Sequence, residues 1–105
     1  MATQHTTVVK LSRPADFDIL QALDGTGRNV ARNLQHHIDA SRKHINNRLP
    51  QLEDYGLVKK IGPDEDSGLY EITEKGRVAL KHRKKYDEVD DFGALVEREL
   101  GKRQE

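Results

Sequence analysis

Six polar residues within one eight-residue stretch, Ser41, Arg42, Lys43, Asn46, Asn47 and Arg48, carry the most specific chemistry in this chain. Asparagine offers a donor and an acceptor side by side, which matches the adenine edge in a DNA major groove; arginine and lysine make the corresponding contact to guanine. A serine at the start of a helix, with the free N–H groups of the first turn behind it, suits a phosphate. On a helix that turns by about 100° per residue, Leu49 and Leu52 fall within about 40° of Ile45. Lys43, Asn46, Asn47 and Pro50 then fall on the far side, with Arg42 and Arg48 on the flanks. The segment predicts a helix with one apolar face for a core and one polar face for a nucleic acid. Taken alone, such a helix is more simply a solvated face, so the elements around it have to decide.

A second group, His36, His37 and His44 with Asp39 between them, raises metal binding, since imidazole is a good zinc or nickel ligand. His36 and His37 point to different sides of a helix, however, and no His-x₃-His spacing or cysteine supports them. Surface histidines carrying pH-dependent charge near a phosphate are the preferred reading, and no metal or other cofactor is expected.

The elements that would position these residues follow from apolar spacing. Pro14 suits the start of a first helix bearing Phe17, Ile19, Leu20 and Leu23, stopped by Gly25-Thr26-Gly27. Asn29 is the expected N-cap of a second helix with Val30, Leu34 and Ile38 on one face. After only Asp39-Ala40, Ser41 caps the third helix, which closes at Tyr55-Gly56 with Gly56 as a left-handed cap. Two short amphipathic helices joined so tightly must cross steeply, the helix-turn-helix arrangement. Leu57 to Ile61 and Leu69 to Ile72 read as strands around a turn-rich Gly62 to Gly68, and Thr73 caps a fourth helix through Val78 and Leu80. Val89, Phe92, Val96 and Leu100 predict a tail helix that either forms a dimer seam or folds back on the core.

The expected fold is therefore α+β, mainly α: a winged helix-turn-helix with a three-helix core, a β-hairpin wing and C-terminal helices. Residues 1–13 form an N-terminal arm, 14–85 the DNA-binding domain, and 86–105 an amphipathic helix that is a candidate dimerisation element. The β-prone patch from Thr6 to Leu11 fits either a strand or a disordered arm.

Composition sets limits on function. The 105 residues, 34% hydrophobic and 34% charged, suffice for one small core without a large buried pocket. No apolar run is long enough to cross a bilayer, and Met1 to Thr7 lacks the layout of a signal peptide. Zero cysteine excludes disulfides and thiolate metal sites and fits a cytoplasmic protein. The formal net charge of zero conceals a gradient. Residues 1–61 hold nine Lys/Arg against six Asp/Glu, a net +3; residues 62–86 hold six against five, +1; residues 87–105 hold three against seven, −4. Within the wing the tip is Asp64-Glu65-Asp66, which phosphates would repel. No Ser-His-Asp, Cys-His or paired-carboxylate arrangement sits where it would build a pocket, and no glycine-rich phosphate loop follows a strand, so catalysis is not expected.

With these elements in place the sequence resembles a family. Asn29-Val30-Ala31, Ser41-Arg42-Lys43 and Asn46 through Val58 look like the winged helix proteins abundant in haloarchaea and related to the phage phi-H repressor. Gly62-Pro63 and Ser67 through Gly76 continue the likeness, which covers roughly residues 14–82. A Leu-Glu pair before Gly-Leu-Val and a Thr-x-x-Gly after the wing are similar to MarR- and PadR-like regulators. The resemblance implies an archaeal homodimer that reads a palindromic site in double-stranded DNA, with Ser41, Arg42, Lys43, Asn46 and Asn47 at the matching recognition positions. The expected function is a sequence-specific, repressor-like transcription regulator. A winged helix used only for protein–protein interaction, or a metal- or ligand-sensing regulator, are the alternatives.

Overall fold

Among the residues that the computed structural model describes, 9–62 and 68–103, the chain forms five α-helices, the longer ones with apolar residues at three- and four-residue intervals, and one two-stranded antiparallel sheet. In chain order these are α1 (Ala15–Thr26), α2 (Ala31–Leu34), α3 (Arg42–Asp54), β1 (Val58–Lys60), β2 (Tyr70–Ile72), α4 (Glu74–Lys81) and α5 (Phe92–Arg103), with a 3-10 turn at Arg83–Lys85 before α5. The molecule is mainly helical with a small sheet.

The helix punctuation follows local chemistry. Pro14 occupies the N-cap position of α1, and the helix runs through Gly25 and Thr26 before Gly27 ends it, its N–H donating to the Leu23 carbonyl at 2.9 Å. Ser41 and Thr73 cap α3 and α4 as their types predict, accepting from the N–H of His44 and Gly76 at 3.1 and 3.0 Å. Gly56, at φ 80°, takes the left-handed position after α3.

The second helix departs from expectation. Its N-cap is Val30, and Asn29 is drawn into the sheet instead. The Asn29 backbone exchanges two 2.9 Å hydrogen bonds with that of Tyr70. Its side chain donates to Thr26 Oγ1 and accepts from the Val30 N–H, so it is turned to these neighbours rather than to the turn beyond. The helix also stops after four residues. The N–H groups of His36 and His37 bond three residues back, tightening the chain into turns, and Ile38 reaches the core from a bend.

The sheet pairs Val58 with Ile72, Lys59 with Glu71 and Lys60 with Tyr70. With Asn29 bridged to the other side of Tyr70, three segments lie side by side. Residues 63–67, including the acidic Asp64 to Asp66 expected at the wing tip, lie outside the described residues, as does the part of the β-prone patch before Val9.

One core joins all these elements. Ile19, Leu20 and Leu23 of α1 pack with Leu34, with Ile45, Leu49 and Leu52 of α3, with Leu57 and Val58, and with Val78. The tail helix belongs to the same core. Phe92, Leu95 and Val96 are buried, and Val89 and Leu100 pack partly against it. Phe17, Tyr86 and Phe92 form an edge-to-face trio with centroids 5.2–6.1 Å apart, joining α1 to α5. Of the two fates for the tail, folding back over the core is the one adopted.

Candidate nucleic-acid interface

The burial of α3 divides its surface. Ile45, Leu49 and Leu52 are at most 1% exposed, so that side seats the helix on the core and the opposite side faces outward. Ser41, Arg42, Lys43, Asn46 and Asn47 are all exposed. The Ser41 hydroxyl is held as the helix cap, accepting from His44 N–H. Pro50, on the same outward side and exposed, deprives the Asn46 carbonyl of the helical donor that another residue would supply.

Arg48 has a different task. Its Nε donates to Asp16 Oδ1 at 3.0 Å and its Nη2 to Oδ2 at 2.8 Å, a two-pronged bond to a carboxylate with no exposed surface. The hydrogen bond and charge of Asp16 together raise the Arg48 pKa above its ordinary value, against the opposing pull of burial. Asp16 also accepts the Ser12 N–H at 2.7 Å. Arg48 therefore ties α3 to α1, and the guanidinium expected to flank a DNA-contacting face is already engaged by Asp16. No spacing rule links residues 32 apart, and an acid in the first turn of α1 reads as an ordinary partner of the helix dipole.

The other cations separate into engaged and free. Arg13 pairs with Asp87, Arg28 and Lys59 share Glu71, and Lys60 lies over the Tyr70 ring. By contrast Lys10, Arg32, Arg42 and Lys43 are exposed and meet no carboxylate among the described residues. Arg32 belongs to α2, Arg42 and Lys43 to α3, and Lys10 to the segment leading into α1. An exposed α3 face with free cations and two amides can bind an anionic polymer and read base edges.

The histidines do not gather. His36 and His37 are exposed, His44 is half-buried, and no group of three or more His, Asp or Glu side chains among the described residues could hold a metal ion. No helix among the described residues is long and apolar enough to cross a membrane. Comparison of the chain with family models, with curated proteins and with solved structures finds no match.

Proposed function

We propose that this chain is a winged helix-turn-helix DNA-binding regulator of cytoplasmic location, repressor-like and non-enzymatic, reading the major groove of double-stranded DNA through α3 as a homodimer. The observation that carries the reading is the outward face of α3: Lys43, Asn46 and Asn47 stand exposed on a helix whose opposite face is sealed into the core. Ser41 and Arg42 at its N-terminus suit flanking phosphates. The chain order helix, bridging segment, two helices, hairpin, helix supports the winged form, because Asn29 adds a short third segment to the hairpin. The likeness to haloarchaeal phi-H-repressor-type proteins fits the same reading.

The homodimer follows from the two-fold symmetry of palindromic sites. Because Phe92 and Val96 are spent on the chain's own core, a dimer seam would have to use other surfaces.

Selection of bound duplexes from a random pool tests the proposal. An enriched palindrome is expected, and Asn47→Ala or Lys43→Ala should each lower affinity for it by about 1–3 kcal/mol, or 5- to 150-fold, while relaxing preference at one base position. Enrichment of no duplex, with salt-independent binding to none, would replace DNA reading with the protein-interaction alternative. Sub-micromolar zinc or nickel binding that His37→Ala abolishes would favour the sensing alternative.

A further inference from the structure

The segment before α1 is fastened to the molecule by two tyrosines acting in the same way. The Tyr55 hydroxyl accepts the Lys10 N–H and donates to the Lys10 carbonyl, both at 3.1 Å. The Tyr86 hydroxyl brackets the next residue, accepting the Leu11 N–H at 2.9 Å and donating to its carbonyl at 3.5 Å. Arg48 Nη2 adds a 3.4 Å bond to the Lys10 carbonyl. The Leu11 side chain is buried in the core, whereas Lys10 is exposed and its ammonium meets no carboxylate among the described residues.

These bonds fix where Lys10 lies relative to α3. Counting from the buried centre at Ile45, Arg48 and Tyr55 both fall on one flank, about 60–80° round, on the side that leads through Gln51 to Asn47. Arg42 lies on the opposite flank. A helix is about 10–12 Å across with its side chains and the major groove about 12 Å wide, so the flanks of an inserted helix face the two phosphate walls. On the Arg48 flank the arginine is already bound to Asp16, so the free cation there is Lys10.

We infer that Lys10 is a phosphate-binding residue beside the recognition helix, with Tyr55 and Arg48 as the positioning residues that hold its backbone to α3. The inference rests on the reading of α3 as the DNA-contacting helix. It assigns a role to a residue outside the helix-turn-helix and makes Arg48 act through Lys10. Because the contact is to the sugar–phosphate backbone, it adds affinity without sequence preference.

The test measures duplex affinity of the full chain against salt, using the duplex selected above and one of scrambled sequence. Lys10→Ala should make the log K against log salt slope shallower by about 0.9, the contribution of one neutralised phosphate. That corresponds to about eightfold weaker binding at 0.1 M salt and about fourfold at 0.2 M, by the same factor on both duplexes. Lys10→Arg should restore the slope. Tyr55→Phe should reproduce part of the loss and add little to Lys10→Ala, with thermal unfolding of Lys10→Ala unchanged. An unaltered slope in Lys10→Ala, or a loss that is the same at every salt concentration, overturns the assignment while leaving α3 as the reader. If the unmodified protein binds neither duplex, the reading of α3 fails and the assignment falls with it.

Discussion

Replacing Arg48 with alanine tests what seats α3 on the rest of the fold. The Asp16 carboxylate is fully buried and takes three hydrogen bonds, two of them from Arg48 and one from the Ser12 N–H. Arg48→Ala removes both arginine bonds and the counter-charge, leaving a buried carboxylate with a single donor. Breaking a buried pair from one side costs about 3–5 kcal/mol. The Arg48 side chain is 20% exposed, which lets water partly replace the guanidinium, so the low end, about 3 kcal/mol, is expected. In a domain of this size that is a fall of about 12–24 °C in Tm. Urea titration followed by circular dichroism should show the midpoint displaced with the slope unchanged. Because Asp16 holds the Arg48 pKa above its ordinary value, the arginine stays charged below that value, and its contribution is lost only in strong alkali. The deficit should therefore be nearly the same at pH 6 as at about pH 9. Asp16→Leu combined with Arg48→Met should recover most of the stability, since apolar residues of similar volume can replace a buried pair. A loss below about 1 kcal/mol in Arg48→Ala, the level of an exposed salt bridge, would refute this account.

Other perturbations probe the remaining joints. Gly76→Ala should destabilise by about 2 kcal/mol or more in the same titration, because a Cβ there would collide with the Leu57 carbonyl and with Ile72 Cγ1 at 2.7 Å. Thr73→Val should lose about 1–2 kcal/mol, since it removes both the α4 cap and the 2.6 Å bond to the Gly56 carbonyl. Burial, reinforced by the Glu53 charge, pushes the Tyr70 phenol above its usual range, so its contribution is present below about pH 10 and disappears as pH rises through the folded value. Tyr70→Phe should flatten the alkaline limb of a stability–pH curve. Phe92→Ala should cost about 3–5 kcal/mol in thermal unfolding by opening the aromatic trio, and a chain ending at Lys85 should lose its cooperative transition.

Much of this architecture is legible along the chain because its causes are local. Ile45, Leu49 and Leu52 announce their buried face by spacing, Ser41 and Thr73 announce helix starts by type, and Gly56 marks a turn that needs positive φ. The exposure of Lys43, Asn46 and Asn47 follows from the same arithmetic, since whatever stands away from a buried stripe faces out. Asn29 shows where local chemistry misleads. Its type favours a helix cap, but a partner 41 residues away at Tyr70 claims its backbone and puts it in the sheet.

The sequence by itself determined the helical faces, the caps and the polarity of α3, because each depends on neighbours within a few residues. Tertiary structure alone decided which charges remain free. Arg48 and Lys43 are both cations on the same helix, and only the folded chain brings Asp16 against one and leaves the other in solvent. It also decided that the tail helix covers Phe17 and that two tyrosine hydroxyls fasten Lys10 and Leu11. Long-range pairing of a carboxylate, a phenol or a ring depends on where distant elements dock, and no periodicity in the chain records that.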